Sequence, residues 1–186
     1  MLTNHSLAKI LELFHSRKSF HVREVARQTG LNQNSVVHFL KILEKESILE
    51  SRKDANLKKY VIRCNKKACA ILTILDTEKL ERLCSSKKAA IDMYMNSLPP
   101  VIFAVMFQEN SKSDMIVLLV TYEKIDTKKA IISKSDKIRT IQISYDDFVK
   151  ELKWKENAVI QMAIDEGLPI LNHIKYYETI MSPTRK

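Results

Sequence analysis

The sequence predicts an α+β protein built in three stretches, and three observations carry that reading. The first third alternates helical apolar stripes with a polar hairpin, and the middle keeps the helical period throughout. The last part opens on two apolar runs of strand type and continues into helices. At 186 residues, 45% hydrophobic and 28% charged, the chain holds enough apolar material for one large or two small packed domains. The expected boundaries are 1–64, 65–98 and 99–186.

Leu7, Ile10, Leu11 and Phe14 recur at helical spacing with Lys9 and Glu12 opposite, predicting a first helix from about Thr3 to near Arg17. Ser19-Phe20-His21 reads as a short link. A second helix over Val22 to Gln28 turns Val22, Val25 and Ala26 inward. Thr29-Gly30-Leu31 stops it, because Gly30 suits the left-handed residue that closes a helix. Asn32 is a good N-cap for a third helix carrying the stripe Val36, Leu40 and Leu43. Ile48 to Arg52 and Leu57 to Arg63 then read as strands joined by the polar turn Lys53-Asp54-Ala55-Asn56.

Helix, helix, turn, helix, hairpin is a winged helix-turn-helix order. The stretch VREVARQTGLNQNSVVHFLKILEKESILESRKDANLKKYVI resembles the DNA-binding domain of bacterial and archaeal winged-helix transcriptional regulators. The resemblance covers about a third of the chain, the archaeal type being expected. It rests on the alanine of the second helix, the TGL turn, the V-x3-L-x2-L stripe and the isoleucine-led wing. Two positions depart from the pattern: Ser47 stands where glycine is frequent, and the wing tip lacks glycine, with Asn56 expected to take the turn.

The residues of this module suit a polyanion. A third helix of this kind enters the major groove with its N-terminal residues at base edges. Here that surface offers Asn32, Gln33, Asn34, Ser35 and His38, with Lys41 a turn later. Asn and Gln pair bidentately with adenine, and lysine suits phosphate or guanine. The wing adds Arg52, Lys53, Lys58 and Lys59 for phosphates or the minor groove. Residues 1–63 hold twelve Lys and Arg against six Asp and Glu, so +6 of the net +9 sits in one third of the chain. The expected partner is double-stranded DNA, bound by a homodimer. A solvated helix-turn-helix that binds protein instead, as an antitoxin-like module would, is the alternative.

Residues 65–98 read as a helical connector and a possible dimerisation surface, with Ala68, Ile71, Leu72 and Leu75 continued by Leu80, Leu83, Ala90, Ile91 and Met95. Asp76-Thr77-Glu78 is expected to break and recap it, and Pro99-Pro100 to end it. Beyond, Val101 to Phe107 and Met115 to Val120 predict strands buried on both faces, and Lys137 to Ile143 an alternating third. Helices are expected over Asp146 to Leu152, capped by Ser144 or Asp146, then over Asn157 to Asp165, and over Leu168 to Tyr177 after Gly167.

This half resembles a minimal nucleotidyltransferase domain around a small mixed sheet. Two apolar strands are joined by a turn containing Ser113-Asp114, a helix starts at Ser144-Tyr145-Asp146-Asp147-Phe148, and the ending is AIDEGLPILN. The active family carries Gly-Ser after the first strand and two carboxylates, one residue apart, on the second. Its paired metals need those oxygens to neutralise the transferring phosphate. In this sequence Gln108 and Glu109 occupy the Gly-Ser positions, and Ile116 replaces the partner of Asp114. The third carboxylate would fall near Thr140 or Gln142. The domain is therefore expected to be catalytically inactive, left to dimerisation, an effector or a partner. An active nucleotidyltransferase with a substrate-targeting winged helix is the competing reading.

No other site emerges. Only two glycines occur, Gly30 and Gly167, too far apart for any phosphate-cradling loop. Cys64, Cys69 and Cys84 have no zinc spacing and read as reduced, buried or half-buried thiols, with Cys69 on an apolar helix face. Asp146-Asp147 is explained by helix capping, and His173 is a lone histidine. No cofactor or metal is expected. Lys9 and Glu12 interrupt the first apolar run, so no secretion signal is expected, and nothing approaches the ~20 apolar residues of a membrane span. A soluble cytoplasmic protein is expected.

Overall fold

The structure, a computed structural model, describes residues 5–15, 18–54, 57–98, 100–108, 115–123 and 138–182. The chain divides into two compact units, one running to Leu75 and taking in Met181, the other running from Asp76 to Ile180.

The first unit contains α1 (His5–Leu13), β1 (Phe20–His21), α2 (Val22–Thr29), α3 (Gln33–Lys45), β2 (Leu49–Asp54) and β3 (Leu57–Ile62). Its antiparallel sheet has the order β1-β3-β2, so the chain has a winged helix-turn-helix topology here. The three stripes converge: Leu7, Ile10 and Leu11 of α1, Val25 of α2, and Val36, Leu40 and Leu43 of α3 are all buried. Phe14 meets Phe20 edge to face at 5.4 Å, and Leu49, Tyr60 and Ile62 close the sheet side. Burying each such large side chain contributes ~1.5–3 kcal/mol. Gly30 takes the left-handed conformation expected, at φ 69°.

Two expectations change in this unit. Ser19-Phe20-His21 is not merely a link, since Phe20 and His21 pair with Tyr60 and Lys59 as a third strand. The helical part of the first stripe stops at Leu13, and Phe14 and His15 form a turn. The wing tip, Ala55-Asn56, lies outside the described residues.

The stretch expected as a connector forms α4 (Lys66–Glu81) and α5 (Ser85–Asn96), and the boundary between the two units falls within α4. Contrary to the expected break, α4 runs through Asp76 and Thr77, and the chain turns later, around Leu83. Asp76 is a fully buried side chain inside the helix, not at its start.

The second unit holds α5 and the sheet strands β4 (Phe103–Gln108), β5 (Met115–Thr121), β6 (Ile138–Ser144) and β7 (Leu168–Leu171), in the order β6-β5-β4-β7. Only β5 and β6 run parallel. Every residue of β5 is buried, which accounts for its unbroken apolar run. One sheet face packs Ala104, Val117, Leu119 and Ile138 against Ile91 and Tyr94 of α5. On the other, Phe103 meets Phe148 of α6 (Tyr145–Trp154) at 5.2 Å and Tyr176 of α8 (His173–Met181) at 5.6 Å. Ser144 caps α6, and Asn157 caps α7 (Ala158–Glu166).

The helix expected over Leu168 to Tyr177 is instead a strand followed by α8. Pro169 fits there because β7 is an edge strand. Gly167 precedes it at a position where a Cβ would run into the Ala163 carbonyl and the Val105 side chain.

Candidate nucleic-acid interface

Thirteen residues make α3 about 20 Å long at ~1.5 Å per residue. Val36, Leu40 and Leu43 hold its inner face in the core, which fixes what points outward. Asn34, His38, Lys41 and Lys45 follow at i, i+4, i+7 and i+11, all exposed, with Gln33 and Ser35 exposed at the start. No acidic residue stands on that stripe. Asn32 is exposed too, but its Oδ1 accepts the Asn34 backbone N–H at 2.7 Å, so its carbonyl oxygen caps the helix.

The C-terminal end of α3 is set by a Schellman turn: the Ser47 N–H donates to the Glu44 carbonyl at 3.0 Å and the Ile48 N–H to the Leu43 carbonyl at 2.9 Å. Ser47, in the place where glycine is usual, takes φ 58°. Its carbonyl accepts from Asn65 Nδ2 at 2.7 Å, which ties the start of the hairpin to the residue that leads into α4.

The wing is two-faced. Arg52 pairs with Lys59 and Lys53 with Lys58 across the hairpin, so alternate cations point to opposite sides. Lys53 and Lys58 share the side of Tyr60, and Lys58 Nζ lies 4.9 Å from that ring. Lys58 also donates to Glu44 of α3 at 2.9 Å. The Ser51 hydroxyl and Lys58 hold the Glu44 carboxyl below its ordinary range. The one inward-leaning acid of α3 is thus neutralised by the wing.

On the outer side, Arg52 bonds Glu50, and Lys59 bonds Asp54. Three of the four wing cations are therefore already paired within the chain, a feature that spacing along the sequence could not reveal. Lys53 is exposed and has no ion-pair partner among the described residues. Arg23 and Arg27, exposed at i and i+4 on α2, add cations that the sequence reading passed over. Their signal was present in the same helical period that placed Val25 inside.

The nucleotidyltransferase-type positions fall differently. Asp114 and Glu109 lie outside the described residues, while Gln108 ends β4 exposed. Ile116 is buried and pairs with Phe107 and Arg139. Thr140 accepts or donates to the Tyr94 hydroxyl, on the α5 side of the sheet. Ile116 points to the opposite side, so Thr140 and Gln142 do not share a face with it. Among the described residues no cluster of His, Cys, Asp and Glu could hold a metal ion. Cys69 is buried as expected, whereas Cys64 and Cys84 are exposed. No helix among the described residues is long and apolar enough to cross a membrane.

No family model matches the chain, and no curated protein does. Among solved structures, it is similar to the homodimeric winged helix-turn-helix DNA-binding domain of a possible ArsR-family transcriptional regulator from Mycobacterium bovis. The identity is 22%, over 44% of this chain and 74% of that one, with a TM-score of 0.38. At that score the likeness adds nothing to the topology already described.

Proposed function

We propose that the chain is a DNA-binding transcriptional regulator of the cytoplasm, with α3 in the major groove and the wing on the flanking phosphates. The observation that carries this reading is the acid-free stripe Asn34, His38, Lys41 and Lys45 on the exposed face of α3. Amides at its start can read adenine edges, and lysines further along suit guanine or phosphate. The +6 carried by residues 1–63 supports the same partner. A single module of this size covers little DNA, which favours a homodimer on a two-fold site.

For the C-terminal part we propose a non-catalytic role, as a degenerate nucleotidyltransferase-like domain. Ile116 is apolar where the active family needs a carboxylate. The β6 residue that shares its face and register is Arg139, a cation where a divalent ion would need an acid.

Selection of bound fragments from random duplex DNA, followed by titration at several salt concentrations, tests the proposal. One enriched motif, with an affinity that falls steeply between ~50 and ~200 mM salt, is expected. No enrichment and a salt-independent affinity for a protein partner would point to the protein-binding alternative.

A further inference from the structure

The second unit contains a cleft of about 320 Å³ that the DNA-binding reading leaves without a role. Its volume lies at the small end of the range for metabolite and drug sites, ~300–1,000 Å³. Met106, Met115 and Leu168 line it from the sheet, and Leu83 lines it from the turn before α5. Methionines make an adaptable apolar wall. Phe107 and the polar residues Lys87, Gln108 and Glu166 complete the lining.

The two charged residues are unusual in the same way. Lys87 lies in the first turn of α5, where the helix dipole disfavours a cation, and Glu166 is the last residue of α7, where it disfavours an anion. Neither has an ion-pair partner among the described residues, although the neighbouring Lys88 pairs with Glu81 at 2.6 Å. Opposite charges at the same cleft thus stand uncompensated, each at the helix end that costs it most. A ligand carboxylate beside Lys87 would be favoured by both the ammonium and the N-terminus of α5. A ligand ammonium beside Glu166 would be favoured by both the carboxylate and the C-terminus of α7.

We infer that this cleft binds a free α-amino acid with a large apolar side chain: carboxylate towards Lys87, ammonium towards Glu166, side chain against Met106, Met115 and Leu168. This does not depend on the DNA-binding reading, because it concerns binding to the C-terminal unit alone.

The test is calorimetric titration of the full chain with L-leucine, L-methionine and L-phenylalanine, alongside leucinamide and N-acetyl-leucine. Leucinamide lacks the carboxylate charge and N-acetyl-leucine lacks the ammonium. One-site binding of at least one free amino acid is expected. Lys87→Gln and leucinamide should each weaken binding by roughly tenfold, as expected for one charged contact. Combining them should cost little more than either alone. Glu166→Gln and N-acetyl-leucine should behave as the second such pair. Both side chains are exposed, so unchanged thermal midpoints of the variants serve as the folding control. Three outcomes overturn the inference: no saturable binding by any of the three amino acids, binding that neither variant weakens, or modified leucines that bind as tightly as leucine.

Discussion

The Tyr177 hydroxyl of α8 donates a hydrogen bond to the Asp76 carboxylate of α4, joining residues 101 apart in sequence. Both side chains are completely buried. Burying a carboxylate is costly unless it is hydrogen-bonded, and the phenol supplies such a bond to Asp76 Oδ2. Tyr177→Phe keeps the packing and removes the donor. It is expected to destabilise the fold by ~1–3 kcal/mol, read from urea unfolding midpoints. Tyr177→Phe combined with Asp76→Asn should cost less than the sum of the two single changes, since both remove one interaction. Strict additivity would mean that the hydrogen bond contributes nothing.

His173, at the start of α8, gives the same region a pH dependence. Burial holds its imidazole below the ordinary 6.5, and Asp76 facing it from α4 opposes that shift only in part. The folded state therefore prefers the neutral ring. Between the lowered folded value and 6.5 the unfolded chain binds more protons, so stability rises with pH across that window. It is lost as pH falls from 6.5 towards the folded value. Urea midpoints compared at about pH 7.5 and about pH 5.5 should show this loss, and His173→Gln should shrink it. An identical pH profile in the variant would assign the dependence to other groups.

The elements that could be read from the sequence are those whose signal is local. Val36, Leu40 and Leu43 repeat with the helical period, and the same three side chains fill the core. β5 was legible because all of its residues are buried, leaving no alternation to misread. Asp76 misled because an acid inside a helical stretch usually marks a cap, and its partner Tyr177 lies far along the chain. Phe20 and His21 span too few residues to show any period, and only pairing with Tyr60 and Lys59 makes them a strand. The short apolar run after Gly167 fits strand and helix equally well, and its place beside β4 decides it. At the candidate interface, the outward face of α3 was legible for the same reason as its core. The pairing of Arg52, Lys58 and Lys59 depends on strand register and on Glu44, and so was not.

Ser47 offers a gain in stability. It closes the Schellman turn of α3 with φ 58°, a conformation that costs a residue with a Cβ ~1–2 kcal/mol. Glycine adopts it freely but gives the unfolded chain more freedom, which offsets part of the relief. Ser47→Gly is expected to raise stability by ~0.5–1 kcal/mol, with an unchanged denaturant slope. The Asn65 bond to the Ser47 carbonyl survives the change, because it is made to the backbone. A lower urea midpoint in the variant would show that the Ser47 side chain has a role beyond its backbone angle.

The interface predicts a division of labour among its residues. Gln33→Ala and Asn34→Ala, at the exposed start of α3, should relax sequence preference at one or two base pairs, because an amide paired with adenine discriminates by ~1–3 kcal/mol. Lys41→Ala and Lys53→Ala remove cations without ion-pair partners among the described residues, and should weaken binding alike on every sequence. Each should lower the salt slope by about one. Arg52→Ala and Lys59→Ala should do the same to a smaller degree, since each cation must first leave Glu50 or Asp54 to reach a phosphate. The inverse change follows: Asp54→Asn frees Lys59 and should tighten binding at low salt while steepening the salt dependence. Salt-titrated affinities on the selected motif and on a scrambled duplex separate these effects. If the amide variants kept the parent's preference and the lysine variants its salt slope, α3 and the wing would not be the DNA-facing surface.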